Sequence, residues 1–185
     1  INVGGGAFTD GVEVTVCIPE ALLLESKEVW LIGVKALIAH EFGHINFSDF
    51  KVFKMHQEKV ANYFWNTFGL RNMHKFGAMM LNATEDGRME KLQATFRPGM
   101  LKYFQFLNSY YWKINKCSGN ELNDFFLQIA DLSVDGLVSP DFEARYAGTE
   151  CERRVNECRR YIVKAINCND AQKCADFTFQ MIEKV

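Results

Sequence analysis

Apolar residues recur at two different periods along the chain, and each period predicts a different kind of element. From Val12 to Ile18 apolar residues alternate with polar ones, which predicts a half-buried strand that ends at Pro19. From Ser26 onward the apolar positions recur every three or four residues, which is the helical period. Helices are predicted over residues 26–47, 52–68, 73–96, 100–114, 122–132, 155–166 and 171–182.

Short segments rich in glycine, proline or polar residues separate the predicted helices. They fall at Gly69 and at residues 97–99, 118–119, 136–140 and 167–170. No repeat and no linker divides the chain, so we expect a single domain over residues 1–185. Its predicted class is α+β, predominantly helical, with a small N-terminal β element. Because the chain begins with Ile1 rather than methionine, we expect a fragment of a longer chain.

Composition and charge narrow the classes of partner. The chain has 185 residues, of which 48% are hydrophobic and 24% charged, and these are ordinary globular proportions. The chain has 21 Lys and Arg and 23 Asp and Glu, so its net charge is slightly negative and no nucleic-acid partner is expected. The arginines at 153, 154, 159 and 160 alternate with glutamates and are interpreted as a solvated helix face. No stretch is apolar enough for a membrane span and no signal peptide is evident, so we expect a cytoplasmic protein without a membrane partner.

The cysteines favour no metal ribbon or redox motif. Six are present, at positions 17, 117, 151, 158, 168 and 174, and none forms a CxxC pair. The last four are numerous enough for two disulfides that would staple a helical hairpin. We favour scattered reduced cysteines as the interpretation.

The segment His40-Glu41-Phe42-Gly43-His44 lies inside the first long helix and carries the main chemical prediction. One helical turn separates His40 from His44, so both imidazoles project from one face and can bind one Zn²⁺. Glu41 lies beside them, within reach of a metal-bound water, which is the HExxH arrangement of zinc metallopeptidases. The alternative is two core histidines, each of which would need a polar partner to be buried.

A catalytic zinc site needs a third protein ligand from elsewhere in the chain. The extended motif HExxHxxGxxH is not met, because Phe47 and Phe50 occupy its Gly and His positions. His56 and His74 are further histidines, but neither lies at a recognised spacing.

A cluster of acidic residues about 40 positions downstream is the better source of that ligand. Glu85, Asp86 and Glu90 crowd with Arg88 into two turns of an otherwise apolar helix. A zinc site in a buried cleft would use such carboxylates, with the arginine balancing their charge. The alternative is ordinary pairing of these charges on a helix surface.

These motifs resemble a known family, the gluzincin type of zinc metallopeptidase, or zincin. Its members place two histidines on one helix and a glutamate on a following helix. More narrowly, His40–Asp49 and Asn82–Glu90 are similar to segments of bacterial and phage metallopeptidase-like proteins of the cobaltochelatase-subunit-T-like group. The segment from Ala7 to Pro19 is similar to the one that precedes their zinc helix. The resemblance covers about residues 7–93.

The resemblance implies a zincin-like fold, a Zn²⁺ cofactor and hydrolysis of a peptide or protein substrate. It implies three zinc ligands, His40, His44 and Glu85, and a general base, Glu41, that acts on a zinc-bound water. The thermolysin-like pattern Glu-x-x-x-Asp is not met, because Met89 follows Glu85 at that spacing, so Asp86 stays an alternative ligand. A von Willebrand factor A-type domain is an expected partner in the parent chain.

Several secondary assignments accompany this prediction. The strand over residues 12–18 is a candidate edge for holding an extended substrate. Donors for the oxyanion stay open among Arg88, His74, Tyr63, Tyr110 and Tyr111. Aromatic residues after Met100 are interpreted as core packing.

Two other functions compete with the enzyme. The first is a non-catalytic, zinc-stabilised interaction domain that serves a neighbouring domain. The second is a zinc-free helical adaptor, which requires the HExxH motif to be coincidental. The intact Glu41 favours the enzyme, because structural zinc needs no base there.

Overall fold

The computed structural model describes residues 2–3 and 8–184 and shows a predominantly helical chain. Within these residues, nine α-helices follow four short strands. The helices are α1 (Glu20–Leu23), α2 (Lys27–Phe47), α3 (Phe50–Phe68), α4 (His74–Phe96), α5 (Leu101–Ile114), α6 (Glu121–Val134), α7 (Pro140–Tyr146), α8 (Glu150–Ile166) and α9 (Ala171–Ile182). The predicted helical class with a small N-terminal β element is confirmed.

The β element consists of two separate two-stranded pairs. The strands are β1 (Asn2–Val3), β2 (Phe8–Thr9), β3 (Val14–Thr15) and β4 (Cys17–Ile18). β2 pairs antiparallel with β3 across a turn in which the Asp10 carboxylate accepts the backbone N–H groups of Val12 and Glu13. β4 pairs parallel with β1 instead. The prediction of one continuous strand over residues 12–18 is wrong, because the chain changes its pairing partner at Val16.

Capping residues explain where several helices begin. Ser26 caps α2, since its hydroxyl accepts the backbone N–H of Val29. Helix α7 was not predicted, because the sequence from Gly136 to Pro140 was interpreted only as a break. Ser139 caps it and Pro140 occupies its first turn, where proline is well tolerated.

The chain divides into two compact units. Unit 1 consists of Ile1–Ser48 and Met89–Asn115, and unit 2 consists of Asp49–Arg88 and Lys116–Val185. The prediction of one zincin-like domain over residues 1–185 stays a prediction.

In unit 1, α2 packs along α5 over a core of aliphatic and aromatic side chains. Its buried members are Val16, Ile18, Leu22, Val34, Ala36, Leu37, Leu107 and Tyr110. The predicted packing role of the aromatic residues is confirmed here for Tyr110, which is 7% exposed.

In unit 2, α8 packs against both α6 and α9, and α3 packs against α9. Ile129, Val155 and Ile162 are among the most buried members of its main core. Burial of these apolar side chains is the principal force that holds the helices together.

Other predictions about the chain have clear outcomes. All five cysteines whose side chains are described are free thiols, in agreement with the reduced interpretation. The arginine cluster lies on an exposed face of α8, as predicted, and Arg153 and Arg154 both form ion pairs with the exposed Glu150. Among the described residues, no helix is long and apolar enough to cross a membrane.

A close approach of two helix backbones requires glycine at position 87. A Cβ atom built there would lie 2.1 Å from the carbonyl oxygen of Ser133 and 3.0 Å from a methyl group of Ile166. Backbone atoms cannot move aside cheaply, so even a methyl group strains this part of unit 2.

We therefore expect Gly87→Ala to lower the free energy of unfolding by about 1–3 kcal/mol. Urea denaturation followed by circular dichroism measures this change. Gly99→Ala is the matched control, because a Cβ at Gly99 meets no atom within 4 Å. Its expected effect is within about 0.5 kcal/mol. Equal destabilisation by both substitutions would contradict the steric explanation.

Candidate metal centre

The three motif residues lie in the last two turns of α2, in unit 1. Glu41 and His44 are buried, at 5% and 7% exposed, and His40 is half-buried. Phe42, in contrast, is exposed on the other side of the helix. The helical period thus turns the three polar side chains inward and leaves the apolar one outside, which is the reverse of a simple amphipathic helix.

The two imidazoles converge on one point. The Nε2 atoms of His40 and His44 lie 3.2 Å apart, with the ring planes at 76°. Two nitrogens that bind one tetrahedral zinc at about 2.0–2.1 Å are about 3.3 Å apart. The predicted pairing of these histidines on one helical face is confirmed, and their separation matches what a shared metal ion requires.

Hydrogen bonds at the opposite ring nitrogens orient both imidazoles. His40 Nδ1 lies 2.9 Å from Glu90 Oε1, and His44 Nδ1 lies 3.0 Å from Ser48 Oγ. A carboxylate only accepts, so His40 Nδ1–H donates to Glu90 and a neutral His40 ring keeps its lone pair on Nε2. Metal-binding histidines typically have such a carboxylate partner behind them. A proton or a metal ion must lie between the two Nε2 atoms, since two bare lone pairs at that distance repel.

Glu90 is itself held in place. It is 7% exposed, and Asn108 on α5 donates to its second carboxylate oxygen at 3.3 Å. Glu90 therefore accepts from His40 with one oxygen and from Asn108 with the other. The sequence pattern places Glu90 only in the acidic cluster and gives it no role of its own. The sequence signal for Glu90 is the spacing Asp86-x-x-x-Glu90. It begins one position after Glu85, from which the thermolysin-like Glu-x-x-x-Asp pattern is not met.

Tight packing of α2 against the Met89–Phe96 section of α4 brings Glu90 to His40. A Cβ atom at Gly43 would lie 1.8 Å from Met89 Sδ, so glycine is what permits this approach. Gln93 donates to the carbonyl oxygen of Ala39 at 3.1 Å. These contacts all lie within unit 1 and fix the last turns of α2 from the residue before His40 onward.

The acidic residues earlier on α4 belong to unit 2. Glu85 and Arg88 are 0% and 1% exposed, and Arg88 Nε donates to Glu85 Oε2 at 2.7 Å. Burial works against the charge of Arg88, but the hydrogen bonds and charge of Glu85 raise the pKa of its guanidinium overall. The alternative of surface pairing is therefore wrong for Glu85, Arg88 and Glu90. Asp86 is half-buried and accepts from Asn82 at 3.1 Å.

The other candidate residues lie in different surroundings. His74 is exposed at the start of α4, and Tyr63 packs edge-on against Phe64 and Phe179 in unit 2. His56 is 3% exposed in unit 2. Burial, followed by the positive charge of Lys59, lowers the pKa of His56 from 6.5 to about 4. His56 is therefore a neutral core histidine at pH 7.

This burial of His56 predicts a specific loss of stability in acid. The folded-state pKa lies below the unfolded-state value, so the unfolded chain binds the proton first as the pH falls. The free energy of unfolding should fall by on the order of 2–3 kcal/mol between pH 6.5 and pH 4, and His56 should contribute no pH dependence above that window. Urea denaturation of the parent and of His56→Gln at several pH values measures it. An equally steep decline in the variant would contradict the assignment.

Comparisons with known proteins identify no relative, so the function of the site has to be argued from its residues. No protein-family model matches the chain, and no curated protein or solved structure matches it either. The zincin resemblance therefore stays a prediction from the motifs. Unit 1 brings the imidazoles of His40 and His44 together, with a hydrogen bond at each Nδ1 atom and the buried carboxylate of Glu41 on the same helix.

Proposed function

We propose that this chain is a zinc-dependent metallopeptidase that hydrolyses peptide bonds with Glu41 as its general base. One observation carries the proposal: two Nε2 atoms lie 3.2 Å apart while both Nδ1 atoms have hydrogen-bond partners. A proton shared between the two Nε2 atoms would explain only their separation. A divalent cation that accepts a lone pair from each ring also explains why a buried carboxylate, Glu90, orients His40 from behind.

His40 and His44 supply two ligands of this zinc, and we propose Asp86 as the third. Glu85 stays the ligand that the resemblance implies, but its carboxylate already neutralises a fully buried guanidinium. Drawing that carboxylate away from Arg88 would break a fully buried ion pair, which costs about 3–5 kcal/mol. Asp86 precedes Glu90 by one helical turn, so the two acids project from the same side of α4.

Zinc held by this set would polarise the scissile carbonyl and make a nearby water acidic enough to lose its proton near neutral pH. The remaining work falls to the side chains of α2 and α4. Glu41 accepts the proton from the attacking water at its carboxylate and delivers it to the nitrogen of the leaving amine. Glu90 keeps the proton of His40 on Nδ1, and thereby keeps Nε2 available as a ligand.

The carboxylates of this arrangement more than offset the charge of a dication. A dication bound by two neutral imidazoles and the Asp86 carboxylate has a net charge of about +1, and the buried carboxylates of Glu41 and Glu90 bring the total to about −1. A carboxylate such as Glu41 costs less to bury beside a cation than away from one. Zinc binding would therefore also lower the cost of burying Glu41.

The first test is the zinc content of the protein and of its ligand variants. We expect about one zinc per chain by elemental analysis after purification without added metal. His44→Ala and Asp86→Asn should each lose the metal, because three protein ligands are needed to hold a catalytic zinc. Zinc-free parent protein, even after equilibration with zinc at neutral pH, would overturn the proposal.

Two further variants separate ligands from positioning residues in the same assay. Glu85→Gln should keep its zinc if Asp86 is the ligand, whereas the reverse pattern would assign Glu85. Glu90→Gln should weaken zinc binding by about 10- to 100-fold without abolishing it, because the amide no longer fixes the His40 ring as a carboxylate does. Circular dichroism spectra that match the parent ensure that each variant is folded.

The second test addresses catalysis directly. Glu41→Gln should reduce peptide hydrolysis by about 10²- to 10⁴-fold while zinc content is unchanged, since only the proton acceptor is lost. A proteome-derived peptide library, read by mass spectrometry for newly formed ends, measures cleavage without a known substrate. The exposed Glu28 on the same helix provides a matched control, and Glu28→Gln should cleave at the parental rate.

Zinc binding without any cleavage by the parent chain would instead favour the non-catalytic interaction domain. Equal cleavage by the parent and by Glu41→Gln would exclude Glu41 as the base.

A further inference from the structure

Two cysteines of unit 2 meet where α8 turns into α9. Cys168 lies in the turn and is half-buried, and Cys174 lies in the first part of α9 and is fully buried. Both are free, and both contact the backbone carbonyl oxygen of Asp170: Cys168 Sγ lies 3.2 Å from it, and the Cys174 backbone N–H donates to it at 3.1 Å. Cys168 also packs against the buried cluster that contains Cys174. A reagent can therefore reach Cys168, while Cys174 is shielded.

Neighbouring groups hold both sulfur atoms in position. Cys168 Sγ lies 3.0 Å from the carbonyl oxygen of Ala165 and 3.2 Å from that of Asp170. Cys174 Sγ lies 3.8 Å from Thr84 Oγ1 on α4. Because Cys168 and Cys174 are six residues apart across one turn, a bond between them closes only a short loop.

The surroundings favour a thiolate on Cys168. The neighbouring Cys174 side chain, the backbone of Asp170 and the positive charge of Arg88 lower the pKa of Cys168, although burial opposes this shift. The neighbouring Cys168 and deep burial raise the pKa of Cys174. Cys168 is thus the nucleophilic member, and Cys174 keeps its proton.

The remaining described cysteines are of a different kind. Burial raises the pKa of Cys151 to about 11 and that of Cys158 to about 12. Burial and the nearby Asp141 carboxylate raise the pKa of Cys117 to about 12. These thiols stay protonated near neutral pH and react slowly, so the chain contains its own unreactive controls.

We propose that Cys168 and Cys174 form an oxidisable thiol pair, in which Cys168 reacts with a hydroperoxide and Cys174 then closes a reversible disulfide. In the first step the Cys168 thiolate attacks one oxygen of hydrogen peroxide, the O–O bond breaks, and hydroxide leaves. In the second step the Cys174 sulfur attacks the sulfenic acid, and the hydroxyl leaves as water with the Cys174 proton. The two sulfurs lose two electrons in total, and the peroxide gains them. An added dithiol returns both cysteines to thiols through exchange.

Peptide mapping tests the pair in the intact chain. Trypsin cleaves after Lys164, Lys173 and Lys184, so Cys168 and Cys174 fall on separate peptides, 165–173 and 174–184. We expect brief treatment with dilute hydrogen peroxide, followed by blocking of free thiols and non-reducing digestion, to join these two peptides. Reduction with dithiothreitol after the peroxide step should separate them again. Without peroxide, iodoacetamide should label Cys168 at pH 7 at least about tenfold faster than Cys158.

Two variants assign the roles within the pair. Cys174→Ser should abolish the joined peptides and leave a sulfenic acid on Cys168 that dimedone traps. Cys151→Ser is the matched control and should give joined peptides at the parental level.

Three results would overturn the proposal. They are oxidation of Cys158 or Cys151 before Cys168, a disulfide from Cys168 to a different cysteine, and over-oxidation of Cys168 in the parent without any bond to Cys174. Each is read in the unsubstituted protein, so the outcome does not depend on the folding of a variant. None of these measurements requires zinc or peptidase activity, and the thiol pair therefore stands or falls independently of the proposed function.

Discussion

The contact between Gly43 of α2 and Met89 of α4 is the constraint on which the candidate site depends. With no side chain at position 43, the helices approach until the Met89 sulfur fills the space that a Cβ atom would take. At this separation the Glu90 carboxylate reaches His40, and Gln93 reaches the carbonyl oxygen of Ala39. A larger residue at position 43 would displace the buried Met89 side chain, which lies one residue before Glu90. The glycine of the HExxH segment is thus a packing residue beside the pair of Glu90 and His40.

A different kind of polar interior characterises unit 2. Glu85 and Arg88 form an ion pair with almost no exposed surface, and such pairs stabilise a fold only while both partners remain. The guanidinium also places positive charge near Cys168. Arg88 therefore links two features of this unit, because it neutralises one carboxylate and favours one thiolate. Loss of its charge would affect both.

Several features of the fold follow from local sequence alone. The Ser26 cap, the extent of α2 and the breaks at Gly69 and near Pro98 involve only neighbouring residues, and each was predictable. Prediction from local sequence was wrong where one sequence feature is compatible with two structures. Pro140 was interpreted as a break, although proline equally suits the first turn of a helix. The strand over residues 12–18 was predicted as one element, because alternation reports burial but does not reveal a change of pairing partner.

The sequence by itself determined that His40, Glu41 and His44 share one helix and that the two imidazoles lie on the same face, since helical geometry relates residues four positions apart. It also located the acidic cluster from which a third ligand would come. Only the tertiary structure showed that Glu85 and Arg88 form a buried ion pair. It alone showed that Glu90 accepts a hydrogen bond from His40, a residue 50 positions away in the sequence. Such a bond depends on how two helices pack, and packing depends on the volume and shape of side chains such as Gly43 and Met89. The periodicity of a single helix contains no information about that complementarity.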